Sequence, residues 1–423
     1  MQQPDTVKEL ISHLFRQQAG KMTAALIHLF GFKNIAIAED IVQDTFLAAC
    51  QGWQKIPGNP EGWLMLVAKN KAINIIKKDK KLVNVPGSSF YKNEDDALTT
   101  HIEQVFAEKE ISDSQLRLLF LCCHPDISPK SQIIITLRIH SGFSIDEISN
   151  AMMMNVEAVK KSLNRTRAEI REKKLYNSSG YVLLSERRME VVHKVLYLMF
   201  NEGYKTTDSP ELINKDVCYE AMRLCKLLLD VGTAKETTSA LLAMMFFNAA
   251  RFPARVDEAG SIISLEEQDR TQWNHSLIAE GFHYLNTSRT KPVLSKYHIE
   301  AAISSIHCTA NSHADTNWEQ IIYYYNLLLQ WDNNPFIHLN KAIAISYAEG
   351  PLQGLLALEQ VEDIDEHYLY NATKADMLYR LKQYEPAIDA YLAAYANTRS
   401  GTEKQHIQSR IDKCTNNLKT QNT

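Results

Sequence analysis

Between Lys130 and Lys174 apolar residues recur at helical spacing in three blocks, and the residues between the blocks are those that stop and start helices. "KSQIIITLRIH" reads as an apolar helix, and "SG" makes the turn after it. Ser144 and Glu147 form an S-x-x-E capping box that opens a short helix, "SIDEISNAM". Asn155 can cap the next, "VEAVKKSLNRTRAEIREKK". Short helices joined this way make a helix-turn-helix the expected local fold. The last helix turns Val156, Val159, Leu163 and Ile170 inward and Glu157, Lys161, Asn164, Arg165 and Ala168 outward. Lys160, Arg167 and Arg171 lie nearer the edges. Seven basic residues face two acids between Lys160 and Lys174. Basic groups hold phosphates, and Asn or Arg can read major-groove edges. DNA binding is therefore the expected role, although such units also occur as plain packing motifs.

The same helical period runs through most of the chain. Fifteen Gly and twelve Pro are few for 423 residues, and long β-branched runs are scarce. The expected fold class is all-α, and the length points to two to four domains. A hydrophobic content of 45% and a mean hydropathy of −0.28 suit globular cores. No apolar stretch approaches the roughly 20 residues of a membrane span, so no membrane partner is expected. "MQQPDTVKEL" lacks a basic segment followed by an apolar core, so no signal peptide is expected either. Seven scattered cysteines suggest free thiols in a reducing cytoplasm.

A second constellation lies at "EGWLMLVAKNKAINIIKKDKK", Glu61–Lys81, with six lysines and two acids. As a helix it buries Leu64, Met65, Ala68, Ala72, Ile75 and Ile76. Trp63, Asn70, Asn74 and Lys77 share a narrow outward stripe flanked by Lys71 and Lys78. Ammonium groups neutralise phosphates, Asn pairs with base edges, and an aromatic ring stacks on an unpaired base. The competing reading is a solvated lysine face with Trp63 in the core. In the preceding helix, "AEDIVQDTFLAACQGW", Ile37, Ile41, Val42, Phe46 and Trp53 point inward. Asp40, Gln43, Asp44, Leu47 and Gln51 share the opposite stripe. A carboxylate stripe with one exposed Leu resembles a docking surface for a basic partner helix; an ordinary acidic surface is the alternative. Charge follows the same division. Residues 1–184 carry a net charge of +3 and residues 185–423 a net of −7, so only the first part suits a polyanion.

These cues divide the chain into a helical bundle over 5–81, a linker over 82–110 and a helix-turn-helix domain over 111–176. A helical extension follows over 185–290, then repeat-like hairpins over 291–418. The linker contains Pro, Gly and Ser and the acidic cluster Glu94-Asp95-Asp96. In the last part Ala375, Leu378, Tyr384, Ala387, Tyr391 and Ala394 fall where a tetratricopeptide repeat places its packing residues.

Two basic helical modules in this order and at this separation resemble the DNA-reading domains of a bacterial sigma factor. The first is similar to region 2 of the extracytoplasmic-function group of the sigma-70 family, and the 112–174 module to region 4. Residues 185–420 resemble the long C-terminal extension of one subgroup, through "YLMFNEGY", "NAARFPAR", "LEEQDRTQW" and the terminal hairpins. The resemblance implies two partners, core RNA polymerase and promoter DNA. It places Asp40, Gln43, Asp44 and Leu47 on the clamp helices of the largest polymerase subunit, with the flap of the second subunit as a further contact. It assigns the loop 55–61 and Trp63, Lys69, Asn70, Lys71, Asn74, Lys77 and Lys78 to recognising and melting the −10 element. Lys160, Lys161, Asn164, Arg165 and Arg167 fall to the −35 element. The loop "KIPGNPEG" departs from the group, being short, proline-rich and without the Arg and Phe common there.

No catalytic set, cofactor site or metal site is expected. Cys122-Cys123-His124 lacks tetrahedral ligand spacing, so core packing is the expectation there, as for Cys218 and Cys225. Glu202, Arg251, Arg255, Asp269 and Arg270 suit either a buried ion-pair network or a pocket for an anionic ligand. Regulation in cis is the expected role of the extension, with a protein partner as a further expectation. Two other classes stay open: a repeat-based interaction scaffold, and an enzyme or ligand-sensing domain within the extension.

Overall fold

The computed structural model describes residues 7–79, 82, 94–124, 126–152, 154–173, 186–204, 213–230, 233–257, 262–398 and 401–421. Among these the fold is all-α, as its period requires. The β pairing recorded is an isolated antiparallel bridge between Val256 and Ile262. No described helix is long and apolar enough to cross a membrane. The chain forms two compact units: Met1–Tyr204 with Asn214–Ala234, and Lys205–Ile213 with Lys235–Thr423.

The first unit contains α1 (Val7–Phe30), α2 (Ile35–Gly52), α3 (Pro60–Lys78), α4 (Glu94–Val105) and α5 (Glu108–Cys122). It continues with α6 (Pro129–Ile139), α7 (Ile145–Ala151), α8 (Val156–Glu172), α9 (Glu186–Tyr204) and α10 (Lys215–Leu229). The turn between α1 and α2 needs Gly31, whose φ of +77° lies in the region L side chains avoid. Helix α1 is the hub. It packs against α2, α3, α4, α5 and α10, and residues from Met22 to Phe30 are buried almost throughout. Gly20 on α1 lets it approach α6 closely: a Cβ there would sit 2.1 Å from the His140 carbonyl oxygen.

Two segments differ from the sequence reading. Residues 94–105, read as linker, form α4, because Leu98, Ile102 and Val105 repeat at helical spacing and are buried. The Pro/Gly/Ser-rich stretch 83–93 lies outside the described residues, as do Lys80, Lys81, Lys174 and the break at 176–181. Helices α9 and α10, read as the start of the extension, belong to the first unit. Ser141 near the α6 end donates to Met199 Sδ of α9 at 3.2 Å. Arg223 of α10 donates to Gln115 Oε1 of α5 at 2.8 Å, and Asp216 of α10 pairs with His13 of α1.

The second unit runs through α11 (Lys235–Ala249), α12 (His275–Thr287), α13 (Lys296–Thr309), α14 (Trp318–Leu329) and α15 (Pro335–Ala348). It ends with α16 (Pro351–Leu358), α17 (Tyr368–Arg380), α18 (Tyr384–Asn397) and α19 (Gly401–Gln421). Every residue of α11 from Thr238 to Phe247 is buried, so this helix lacks a solvent face and forms the centre of its core. From α14 on, neighbouring helices pack in chain order. Gly354 permits close approach of α16 to Ser346 of α15. Ala375, Leu378, Ala387, Tyr391 and Ala394 form one buried cluster between α17, α18 and α19; Tyr384 is half-buried and lies against Tyr379.

Candidate nucleic-acid interface

Helix α3 starts cleanly: Pro60 occupies its first turn and the Asn59 side chain accepts from the Gly62 amide at 2.9 Å. Leu64, Ala68, Ala72 and Ile76 are buried, while Met65 and Ile75 are half-buried at the edge. On the opposite side Asn70, Asn74, Lys77 and Lys78 are exposed. Trp63 is half-buried and meets Trp53 edge-on, with ring centroids 5.3 Å apart.

Two lysines expected on this face are engaged with acids. Lys69 Nζ lies 3.5 Å from Glu103 of α4, and Lys71 Nζ 3.4 Å from Asp44 of α2. The −10 set therefore divides into a free group and a tethered pair. Sequence reasoning also missed Leu66, which is 53% exposed and shares the stripe of Trp63, Asn70 and Lys77. Its helical position gave the signal, but a leucine reads as core by default.

On α2 the expected pattern is present: Ile41, Val42 and Phe46 are buried, and Asp40, Gln43, Asp44, Leu47 and Gln51 are exposed. Leu47 is 53% exposed, a large apolar side chain within a polar stripe. A shallow groove of about 300 Å³ between α2 and α3 is lined by Asp40, Asp44, Lys71 and Asn74, together with Ile37, Ile41 and Ile75.

The other helix expected to meet DNA, α8, is capped by Asn155, whose side chain accepts from the Ala158 amide at 2.7 Å. The capping box ahead of α7 is closed on both sides: Ser144 N donates to Glu147 at 2.6 Å and Glu147 N to Ser144 at 3.1 Å. Val159, Leu163, Thr166 and Ile170 are buried, and Lys160, Lys161, Asn164 and Arg165 are exposed. Lys160 pairs with Glu157 at 2.8 Å, and this bond raises the pKa of its ammonium group.

Arg167 departs from its expected role. It is half-buried and donates to Glu39 Oε1 of α2 at 2.6 Å. Its guanidinium is therefore turned toward the first basic module and away from the open face of α8. Its Nε is buried without a partner. Glu39 carried no signal of its own in the sequence, because only the fold brings it to α8.

The five residues expected to group in the extension are Glu202, Arg251, Arg255, Asp269 and Arg270. Glu202 is on α9 in the first unit; the others are in the second. Arg251 and Arg270 each place a guanidinium over Trp273, at 5.5 and 5.0 Å from the ring centroid. Arg270 donates to the carbonyls of His307 and Ala310 at the end of α13, at 2.6 and 2.9 Å, and to Thr316. Arg251 reaches Gln268 at 3.4 Å. Asp269 is exposed and turned back on Thr271, whose hydroxyl and amide lower its pKa. Arg255 is half-buried. Arg270 thus ties its loop to the end of α13. Cys122 and Cys123 are fully buried, and burial pushes the Cys123 thiol up to about 12. Cys218 and Cys225 are core residues as well.

Residues 14–82 match sigma-70 region 2, and residues 188–289 match a family of unknown function (DUF6596). An uncharacterized protein of Rhizobium meliloti (strain 1021) is 28% identical over 90% of this chain and 90% of its own length. RNA polymerase sigma factor YlaC of Bacillus subtilis (strain 168) is 23% identical over 39% of this chain and 85% of its own length. No solved structure matches the chain. The region 2 match covers α2 and α3 completely, the two helices that carry the exposed acidic stripe and the Trp63–Lys78 face. The chain thus carries a sigma-70 region 2 domain near its N-terminus and, within its long helical extension, a DUF6596 domain.

Proposed function

We propose that this chain is a transcription-initiation factor that binds core RNA polymerase and directs it to promoter DNA, with no covalent chemistry of its own. The observation that carries this reading is the adjacency, inside the region 2 match, of two different exposed stripes. Asp40, Gln43, Asp44 and Leu47 on α2 would dock on the clamp helices of the polymerase's largest subunit. Trp63, Asn70, Asn74 and Lys77 on α3 would capture bases of the −10 element as they leave the stack. Lys160, Lys161, Asn164 and Arg165 on α8 would hold the −35 duplex, next to the polymerase flap. Two weak DNA contacts joined through polymerase gain effective concentration, so neither need be tight alone.

The arrangement of the first unit adds a requirement. The −10 and −35 elements are about 25 base pairs apart, roughly 85 Å at about 3.4 Å per base pair. Here α8 is pinned to α2 at Glu39, and α3 is pinned to the same helix at Asp44. Those two acids are five residues apart, roughly 7.5 Å along the helix axis. Both DNA faces cannot reach their elements from this arrangement, so α8 and its domain must move away from α2. The extension opposes that movement. Helix α10 touches α1 and α5, and α9 touches α6 and α7, bracing both modules from one side. Regulation in cis thus has a physical route: whatever detaches α9–α10 would free the helix-turn-helix.

Retention on purified core polymerase tests the first part. The intact chain should be retained and Asp40→Arg should lose retention, whereas a plain interaction scaffold predicts no retention at all. For the second part, Arg223→Ala with Asp216→Ala should increase initiation by the full-length protein with core enzyme. Unchanged output would remove the bracing role.

A further inference from the structure

Two guanidiniums meet at one buried indole in the second unit. The loop after α11 carries Arg251, and the loop before α12 carries Gln268, Arg270 and Trp273. Backbone joins the two loops, the Asn274 amide donating to the Ala250 carbonyl at 2.8 Å. Trp273 is 3% exposed, and Arg251 and Arg270 lie 5.5 and 5.0 Å from its ring centroid. The ring attracts both cations but carries no charge to neutralise them.

Neither arginine makes an ion pair among the described residues. Asp269, next in sequence to Arg270, is turned back on Thr271 and Gln272. Asp315, whose charge reaches Arg270, accepts from the Ser312 hydroxyl at 2.8 Å. Neutral groups hold the guanidiniums in place. Arg270 is fixed on the His307 and Ala310 carbonyls and on Thr316. Arg251 donates to Gln268, whose own amide is fixed on the Ile263 carbonyl at 3.1 Å. Carbonyls and amides position a cation and leave its charge unspent. A ligand that meets such a pair does not have to order it first.

Two nitrogens in the same cluster are unmet. Trp273 Nε1 and His307 Nδ1 are buried and have no hydrogen-bond partner, a costly state for a polar atom. The His307 imidazole lies within range of both guanidiniums: burial, then Arg251 and Arg270, lower its pKa to about 3. It therefore adds hydrogen-bonding capacity and no charge. Arg251, Arg270 and His307 are each half-buried, so the cluster keeps an edge to solvent. A divalent oxyanion suits two fixed positive charges and a neutral ring. Guanidiniums bond phosphate oxygens in pairs and more strongly than neutral donors do, whereas a single carboxylate would leave one charge unmatched.

We infer that Arg251, Arg270 and His307 bind the phosphate group of a small-molecule ligand against the Trp273 indole. Arg251, Gln268, Arg270 and Trp273 lie inside the DUF6596 match. No residue of α2, α3 or α8 takes part, so failure of this site leaves the initiation-factor reading standing.

Isothermal titration of the full-length protein with inorganic phosphate, at constant ionic strength set by chloride, is the test. Phosphate should bind and should raise the unfolding temperature, and acetate should do neither. Arg251→Gln should weaken phosphate binding at least about tenfold. Its unfolding temperature in chloride should stay close to that of the intact chain, since the Arg251 side chain hydrogen-bonds the protein at Gln268 through a long 3.4 Å contact. A sugar phosphate that binds more tightly than inorganic phosphate identifies the ligand as a phosphomonoester; equal or weaker binding identifies it as free phosphate. Should Arg251→Gln unfold, the intact chain serves: phosphate should protect Arg251 and Arg270 from phenylglyoxal, read by mass spectrometry, where acetate does not. Absent phosphate binding, equal binding of acetate, unchanged affinity in Arg251→Gln, or equal arginine modification with and without phosphate overturns the inference.

Discussion

Arg167 on α8 donates a hydrogen bond of 2.6 Å to Glu39 on α2, across 128 positions of sequence. Both side chains are largely shielded, at 27% and 20% exposure. Removing one partner leaves a desolvated charge behind, at a cost of about 1–3 kcal/mol. Glu39→Ala and Arg167→Ala should each lower the stability of the chain by that order in urea unfolding. The swapped pair Glu39→Arg/Arg167→Glu should recover most of the loss. If the swap is no better than either single change, the pair does not hold α8 to α2.

A second contact between the modules is made of backbone. Gly20 of α1 faces the His140 carbonyl at the end of α6, and a Cβ would come within 2.1 Å of it. A carbonyl cannot rotate away as a flexible side chain can. Gly20→Ala should therefore push α1 and α6 apart and destabilise the chain by about 1–3 kcal/mol. It should also raise hydrogen exchange at α6 and α1 before that at α3. Normal stability of this variant would mean that the two helices slide freely.

Much of this was legible in the sequence, because helical period, caps and charge are local. The buried row of α3, the capping box at Ser144–Glu147 and the outward face of α8 all follow from spacing of residues within one helix. Long-range pairing was not legible. Lys69 and Lys71 read as free cations until the fold sets Glu103 and Asp44 beside them. Arg167 read as an edge residue of a DNA face until Glu39 arrives from α2. Helix α4 was hidden by the Pro, Gly and Ser just before it, although Leu98, Ile102 and Val105 keep the helical period. The place of α9 and α10 had no local signal, because a helix does not state which core its apolar face will join.

His140 makes the first unit sensitive to acid. It is 1% exposed, its Nε2 donates to the Gln115 carbonyl at 3.1 Å, and its Nδ1 is buried without a partner. Burial lowers its pKa to about 4; Glu220 raises it and Arg223 lowers it further. Because the folded pKa lies below the unfolded value of about 6.5, its contribution is complete above pH 6.5 and is lost as pH falls toward 4. The full loss is roughly 3 kcal/mol. Thermal unfolding should thus move to lower temperature between pH 7 and pH 5. His140→Gln should flatten part of that dependence, and an unchanged slope would show that other groups set it. His193 acts in the same direction, with its own pKa lowered by burial to about 4.

The two basic faces differ in how freely their charges are presented, and salt dependence separates them. On α8, Lys161 and Arg165 are exposed, and no ion pair among the described residues ties them to the protein surface. On α3, Lys71 is held by Asp44 at 3.4 Å and must leave it before meeting a phosphate. Each phosphate neutralised by a free cation steepens the dependence of log K on log salt by about one. Arg165→Ala and Lys161→Ala should each reduce that slope by about one in duplex binding by the polymerase-bound protein. Stability should change by less than about 0.5 kcal/mol, since neither residue is buried. Lys71→Ala should reduce the slope by less, because part of the charge it offers DNA is offset by the Asp44 carboxylate that its loss uncovers. Asp44→Asn then becomes the discriminating variant: it should strengthen DNA binding while weakening retention on core polymerase. A parallel fall in both would mean that Asp44 serves only to hold α3 on α2.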